Sequence, residues 1–339
     1  MVKRLEMVEK LDRIYGMNKI VPGFNQRTDP SEATMNIQRK IAFGYSTKCN
    51  IKCEHCVAAN ERSGNAKMEL DTAKEIIEEM ACHHVKGISF TAGEPLLFLN
   101  DIHNLVQLCS ENGIYSRVVT NGFWAKTQEH SDNIVSELMK SGLSQLRISF
   151  SRWHQKNISR ENIVNAASSC QKYGLDYFIS FVTDFSKDDD PFEQFLRDNN
   201  LKFFPEPLIY FGNAGKFNRS HIFTDYQPNT CAMNSYLTPE LDMFACCDAG
   251  PHFTKTGFFF LGNLKDYSID ALFQKKENND LYNLIRTMGL TNIASYLGFR
   301  AREIVRYRKC ELCYEIFNSE ENLKILEESA KSDLRLWEK

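Results

Sequence analysis

Between residues 38 and 211 the sequence alternates short apolar runs with amphipathic segments, and this pattern constrains the fold more than any other feature. The runs are rich in Ile, Val, Phe and Tyr, as buried strands are. Strands that alternate with helices indicate parallel βαβ units, in a doubly wound sheet or in a complete or partial barrel. Periodicity alone does not choose between these architectures. The predicted strands are Ile41–Tyr45, Gly87–Thr91, Tyr115–Thr120, Leu146–Phe150, Tyr177–Val182 and Phe203–Tyr210.

Segments with helical periodicity lie between these strands. In barrels of parallel strands, catalytic groups lie on the loops that follow the carboxyl ends of the strands. The residues just after each apolar run are therefore the first candidates for a functional site. The predicted helices are Asp71–Met80, Asp101–Ser110, Asn133–Ser141, Glu161–Tyr173 and Pro191–Asp198.

Length and charge exclude several classes of partner. The 339 residues suffice for one large domain and a smaller appendage. The formal net charge is −3, so we expect neither nucleic acid nor a membrane as a partner. No apolar run approaches the roughly 18 residues of a spanning helix, and the first residues lack the apolar core of a secretory signal. The sequence therefore predicts a cytoplasmic protein, with a helical extension over residues 1–37.

The sequence contains 11 cysteines, which in a reducing compartment indicate metal binding or redox work more than disulfides. Cys82, Cys109 and Cys170 stand alone in predicted helices, and we expect them to be small core residues. The other cysteines fall into two groups.

The first group follows the first predicted strand. Cys49, Cys53 and Cys56 offer three thiolates within eight residues. Iron–sulfur clusters and all-cysteine zinc sites take four, so three leave one metal position open for a substrate or cofactor. His55 is an alternative fourth ligand, and a zinc-binding loop is an alternative interpretation of the spacing.

Three further motifs follow the next strands: Thr91-Ala-Gly-Glu-Pro, Thr120-Asn-Gly and Ser149-Phe-Ser. Together with the Cys-x3-Cys-x2-Cys spacing, they resemble the radical S-adenosylmethionine (radical SAM) superfamily over most of residues 38–212. The resemblance implies an α/β fold, a partial (β/α)6 TIM-like barrel over residues 38–225. It also implies an enzyme.

The resemblance assigns a [4Fe–4S] cluster to Cys49, Cys53 and Cys56. The free iron of this cluster would chelate S-adenosylmethionine (SAM), and an electron from a donor such as flavodoxin or ferredoxin would cleave the SAM. The product would be a 5′-deoxyadenosyl radical that abstracts hydrogen from the substrate.

The resemblance also implies which residues contact SAM. Gly93 permits close backbone approach, and a carboxylate at Glu94 suits the ammonium group of SAM. Two positions depart from the usual pattern, because Ala92 replaces a glycine and Ser151 replaces an aspartate. The implied contacts are His55 beside the adenine, together with Ala92, Gly93, Glu94, Asn121, Ser149 and Ser151.

The second cysteine group lies in residues 226–318, where turn residues increase and helical periodicity weakens. We predict short strands at Met243–Cys247 and Gly257–Leu261, and a helix at Ser268–Gln274. The layout resembles the auxiliary-cluster domains called SPASM and twitch, and it implies a smaller C-terminal domain. A second [4Fe–4S] cluster would then be bound by Cys231, Cys246, Cys310 and Cys313. A structural zinc site is the alternative.

Cys247 is left over from this set. It either packs, replaces Cys246 as a ligand, or donates a hydrogen atom to a substrate radical, as a cysteine is thought to do in related peptide epimerases. Arg302, Arg306 and Lys309 share a face of one predicted helix, which we interpret as solvated. Residues 319–339 are predicted to form a charged C-terminal helix.

The leading functional hypothesis is modification of a ribosomally made peptide by crosslinking or epimerisation, because relatives with an auxiliary-cluster domain commonly mature peptides. The alternative is a twitch-type dehydrogenase that oxidises a small molecule such as a sugar alcohol. A non-catalytic metal-binding protein is a third hypothesis, which Glu94 and the three intact cysteines disfavour.

Overall fold

A computed structural model describes residues 38–58, 64–218, 230–253 and 256–332. The predicted extension over residues 1–37 lies outside these ranges. No helix within them has the length and apolar character required to cross a membrane.

Parallel strands form the centre of the fold, as the apolar runs predict. Each strand pairs in parallel with the one before it, and Phe43, for example, lies opposite Phe90. The last strand ends at Pro207 instead of Tyr210, and it is the edge strand, where the missing N–H groups of Pro205 and Pro207 are tolerated. The strands are β1 (Lys40–Gly44), β2 (Gly87–Thr91), β3 (Tyr115–Thr120), β4 (Gln145–Phe150), β5 (Asp176–Thr183) and β6 (Phe203–Pro207).

Helices connect these strands and cover one face of the sheet. The helix after β1 buries Ala73, Ile76, Ile77 and Met80, the apolar positions that its periodicity indicates. The predicted helices are confirmed, with ends that differ by a few residues. They are α1 (Leu70–Cys82), α2 (Leu99–Glu111), α3 (Gln128–Lys140), α4 (Arg160–Tyr173) and α5 (Asp190–Asp198).

The sheet continues beyond the predicted domain boundary at residue 226. Strand β7 (Ser235–Leu237) pairs in parallel with β1, and β8 (Asp242–Phe244) and β9 (Phe260–Asn263) extend the sheet in antiparallel fashion. In the described ranges the strand order is β6-β5-β4-β3-β2-β1-β7-β8-β9, and the sheet does not close. The α/β class and the partial barrel are confirmed, whereas the bounds 38–225, 226–318 and 319–339 stay predictions.

Short helices fill most of residues 269–332. The first covers the predicted Ser268–Gln274 segment, and the last lies within the predicted C-terminal helix over residues 319–339. The three helices that follow the first have four to eight residues and complete too few turns for a periodic pattern. The helices are α6 (Ile269–Glu277), α7 (Asp280–Thr287), α8 (Leu290–Tyr296), α9 (Ala301–Ile304), α10 (Lys309–Phe317) and α11 (Glu320–Ser332).

Two predictions about surface residues need correction. Cys109 and Cys170 are fully buried as expected, but Cys82 is exposed because it is the last residue of α1 and lies off its apolar face. The basic stretch is not on one helix, since α9 ends at Ile304 and Lys309 begins α10. Arg302, Arg306 and Lys309 are nevertheless exposed.

Candidate active site

The loop after β1 carries Cys49, Cys53 and Cys56 at the carboxyl edge of the sheet. Cys49 is exposed, Cys53 is 8% exposed and Cys56 is half-buried. Burial, with smaller contributions from the neighbouring Cys56 and Cys49 thiolates, raises the pKa of Cys53 to about 12. Burial also raises the pKa of Cys49. The three thiols therefore lie within electrostatic range of one another, where a bound metal would favour the thiolates.

Within the described ranges, no three His, Cys, Asp or Glu side chains converge closely enough to bind a single metal ion. A four-iron cluster bonds each thiolate through a different iron, so its ligands are spaced more widely than those of one ion. The donor set of three thiols with an accessible Cys49 fits such a cluster with one iron left open.

The turn after β2 packs directly on the cysteine loop. The Glu94 backbone N–H donates to the Lys48 carbonyl at 2.9 Å. A Cβ atom on Gly93 would lie 2.2 Å from the same carbonyl oxygen, so only glycine fits this approach. Ala92 and Gly93 both have positive φ, of 65° and 55°. Residues 92–94 therefore form a tight turn, the Gly93 cradle, whose backbone packs against Lys48, the residue before Cys49.

The Glu94 side chain is fully buried and joins the ends of two strands. One carboxylate oxygen accepts from the Leu96 N–H at 3.1 Å and the Thr120 hydroxyl at 2.8 Å, and the other accepts from the Asn121 N–H at 2.7 Å. Burial raises the pKa of Glu94 to about 7, although these hydrogen bonds oppose the shift. The oxygen that accepts from Asn121 can accept a further hydrogen bond, which a cationic group would donate.

Asn121 lies between this carboxylate and the cysteine loop. Its side-chain Nδ2 donates to Asn50 Oδ1 at 2.9 Å and lies 3.9 Å from the Cys49 sulfur. Its Oδ1 accepts from the Phe123 N–H at 2.9 Å. Asn121 is thereby fixed at the edge of the first cysteine group.

His55 lies in an aromatic cluster. Its ring stacks on Trp153 at 4.8 Å between centroids, and His154 meets it edge-on at 4.6 Å. Burial lowers the pKa of His55 to about 4, so the ring is neutral at pH 7. Its Nδ1 is buried and has no hydrogen-bond partner among the described residues. Such an orphaned atom fits a site that receives a heteroaromatic ligand.

The two serines at the end of β4 differ in their surroundings. Ser151 is fully buried, and its Oγ lies 2.8 Å from His154 Nδ1 and accepts from the His154 N–H at 3.2 Å. Ser149 is half-buried, and it pairs with Ser180 across the sheet. Ser151 thus holds His154 against His55, and Ser149 is the more accessible hydroxyl.

Sequence reasoning missed the contribution of Asn213. Its backbone N–H donates to the Cys56 carbonyl and its Nδ2 donates to the Cys53 carbonyl, both at 3.0 Å. The only signal was the Gly212-Asn-Ala214 segment after the sixth run, which a simple turn explained equally well. The segment after β6 therefore holds the loop at Cys53 and Cys56, whereas Gly93 packs against Lys48.

We expect Asn213→Ala to weaken iron retention. The variant loses the side-chain bond to Cys53, worth about 1 kcal/mol, and keeps the backbone bond to Cys56. Iron per chain after repeated anaerobic gel filtration measures the effect, with the exposed Asn199→Ala as the matched control. Equal iron content in both variants would show that iron retention does not depend on the hydrogen bond from Asn213 to Cys53.

The second cysteine group comes from three segments: Cys231 precedes β7, Cys246 follows β8, and Cys310 and Cys313 lie in α10. Burial raises the pKa of Cys310 and Cys313, and Cys246 and Cys231 both contribute to each shift. Burial raises the pKa of Cys246 to about 11. The four predicted ligands thus lie within electrostatic range of one another, although they come from three separate segments.

Cys247 lies within electrostatic range of the same group. Burial is the largest cause of its raised pKa, and Asp248, Cys246 and Cys231 raise it as well. Asp248 is exposed, and it interacts electrostatically with Arg147 of β4 and Glu206 of β6. Tyr236 of β7 also interacts with Cys247. Asp248 thus lies within electrostatic range of both Cys247 and the strands β4 and β6.

Comparison with known proteins agrees with this geometry. The family model described as Radical SAM superfamily matches residues 44–198. The uncharacterized protein MJ0907 of Methanocaldococcus jannaschii is 38% identical over 76 residues, 22% of this chain and 26% of that protein. The PqqA peptide cyclase of Rhodopseudomonas palustris is 25% identical over 118 residues, 34% of this chain and 30% of that protein. The matches thus span less than a third of either relative.

The fold is also that of a solved structure described as native anSMEcpe with bound AdoMet and Cp18Cys peptide. The TM-score is 0.53 at 14% identity, over 87% of this chain and 99% of that chain. The family model covers the cysteine loop, the Gly93 cradle and the strand ends that carry Asn121 and Ser149. Residues 44–198 are therefore similar to the radical SAM superfamily, a family that binds a [4Fe–4S] cluster and S-adenosylmethionine.

Proposed function

We propose that Cys49, Cys53 and Cys56 bind the [4Fe–4S] cluster and that the surrounding strand ends bind SAM. The observation that carries this proposal is that the cysteine loop is fixed at two points, by Gly93 at Lys48 and by Asn213 at Cys53, while Cys49 stays exposed. When bound, the cluster and SAM supply a 5′-deoxyadenosyl radical for hydrogen abstraction. The protein holds both groups in place and excludes water.

In this proposal each side chain at the edge has one task. Glu94 offers its less occupied oxygen to the SAM ammonium group, and His55 packs beside the adenine with its unpartnered Nδ1. Asn121 fixes the loop beside Cys49, and Ser149 is positioned for the ribose. Ala92 contributes backbone only, whereas Ser151 positions His154.

A second [4Fe–4S] cluster at Cys231, Cys246, Cys310 and Cys313 is also proposed. Cys246 is favoured over Cys247 as the ligand, because Cys246 acts electrostatically on both Cys310 and Cys313. Cys247 interacts with Tyr236 and Asp248, and Asp248 in turn interacts with Arg147 of β4 and Glu206 of β6. This position suits a thiol that donates a hydrogen atom to a substrate radical.

We infer that the substrate is a peptide and that the reaction is an oxidoreductive crosslink or an epimerisation. The open sheet supports this, because one of its faces carries side chains that are only half-buried and are therefore partly accessible to a ligand. These side chains include Arg147, Ser149 and Phe178. A relative bears the name peptide cyclase, and the structure that shares the fold contains a peptide beside AdoMet. Cys247 as a hydrogen donor favours epimerisation.

The test begins with SAM cleavage. Anaerobically purified enzyme with SAM and dithionite should release 5′-deoxyadenosine, and the Cys49/Cys53/Cys56→Ala variant should release none. Iron should fall from about eight to about four per chain in that variant, because one of two four-iron clusters is lost. Release of 5′-deoxyadenosine by the triple variant would overturn the assignment of these ligands.

Co-expression with short neighbouring reading frames then tests the peptide. A crosslink removes hydrogen mass from the product, whereas epimerisation in D2O adds deuterium at Cα. Cys247→Ala should abolish deuterium incorporation while SAM cleavage persists. An enzyme that cleaves SAM but modifies only a small alcohol would contradict the peptide proposal and leave the cofactor site intact.

A further inference from the structure

Lys276 of α6 is a buried cation beside the second cysteine group. The residue is 5% exposed. Its Nζ donates to the Met233 carbonyl and, at 2.9 Å, to the Ser235 hydroxyl. Both acceptors are neutral, so neither balances the charge of a buried ammonium, which is costly without a counter-ion.

The negative groups that act on Lys276 are thiolates. Burial and, to a smaller extent, the positive charge of Arg286 lower its pKa to about 8, whereas Cys246, Cys247 and Cys231 oppose the shift. The nearby carboxylate of Glu277 already pairs with Arg39, at 2.8 Å to each oxygen. Three cysteines, and not a carboxylate, are therefore the negative groups within electrostatic range of this ammonium.

Arg286 of α7 is a second cation at the same place. Its Nη1 donates to Asn283 Oδ1 at 2.7 Å, but its Nε and Nη2 are buried with no acceptor among the described residues. The charge of Cys231 acts on Arg286 too. Buried N–H groups of native proteins find acceptors, so these two cations together indicate an anionic group between them and the cysteines.

We propose that Lys276 is the counter-cation of the auxiliary cluster bound by Cys231, Cys246, Cys310 and Cys313, and that its positive charge raises the reduction potential of that cluster. This inference rests on the proposed second cluster. One-electron reduction by an external reductant adds a negative charge to a cluster that four thiolates already make anionic. A fixed cation stabilises the reduced form more than the oxidised form.

A purely structural role for Lys276 makes a different prediction. Lys276 also ties Met233 to Ser235, and hence the segment after Cys231 to β7. Loss of that tie alone would reduce cluster retention without changing the potential of the clusters that remain. Reduction potential is therefore the readout that separates the two roles.

The experiment uses the Cys49/Cys53/Cys56→Ala background, in which only the auxiliary cluster contributes a signal. We expect Lys276→Met to lower the midpoint potential, measured by EPR during dithionite titration. A tenfold less favourable reduction corresponds to a shift of about 59 mV for one electron. Lys275→Met is the matched control, since Lys275 is exposed on the same helix, and it should leave the potential unchanged.

Two further variants keep the test decisive if Lys276→Met loses iron. Lys276→Arg keeps the charge and should keep the wild-type potential, whereas Lys276→Gln keeps a donor without the charge and should match Lys276→Met. Equal potentials in Lys276→Gln and wild type would overturn the inference. Absence of a second cluster from the background protein would instead overturn the proposed function, by iron and sulfide content alone.

Discussion

Gly93→Ala is expected to destabilise the protein by about 3 kcal/mol or more. The new Cβ would lie 2.2 Å from the Lys48 carbonyl oxygen, and both groups belong to backbone that cannot rotate away. The positive φ of 55° adds about 1 kcal/mol for a residue with a side chain. Because Lys48 precedes Cys49, relief of the clash must displace the cysteine loop. Urea unfolding and iron content of the anaerobic protein measure the two effects.

Gly174→Ala is the matched control for this substitution. Gly174 also has a positive φ, of 75°, but nothing lies within 4 Å of the position of its Cβ. We expect a loss of only about 1 kcal/mol and a full complement of iron. If the two variants lose similar stability, the close approach of Gly93 to Lys48 carries no energetic weight.

The barrel strands were predictable because their sequence signal is local. Runs such as Gly87–Thr91 and Tyr115–Thr120 match the observed strands residue for residue, since buried parallel strands need continuous β-branched and aromatic residues. The approach of Glu94 to the first cysteine loop was predictable for a similar reason. Three cysteines after the first strand and Glu94 after the second must meet wherever parallel strands share a carboxyl edge.

What the sequence did not reveal depends on contacts between distant segments. The bond from Asn213 to Cys53 joins residues 160 positions apart, and an asparagine in a turn carries no sign of it. Lys276 looks like any helical lysine beside Lys275, and only the fold buries one and exposes the other. The continuation of the sheet through β7 was invisible too, because a three-residue strand is too short to show a period.

The buried carboxylate of Glu94 should make stability depend on pH. Its folded-state pKa of about 7 lies above the ordinary value of 4.5, because burial opposes the charged form. The folded state therefore binds the proton more tightly than the unfolded state. This contribution favours folding at low pH and is lost as pH rises through 7. Between pH 5 and 8 the loss is about 2–3 kcal/mol.

Glu94→Gln isolates this effect, because glutamine has no proton to lose. We expect the stability of wild type relative to Glu94→Gln to fall by about 2–3 kcal/mol from pH 5 to 8, in urea unfolding at each pH. The exposed Glu78→Gln is the control and should show no such trend. A flat difference for Glu94→Gln would mean that the carboxylate stays ionised when buried, its three N–H and O–H donors outweighing desolvation. A stability difference that falls with pH would mean that the hydrogen-bond donors of the protein compensate the charge of the Glu94 carboxylate only in part. A ligand ammonium group binds most strongly to such a carboxylate.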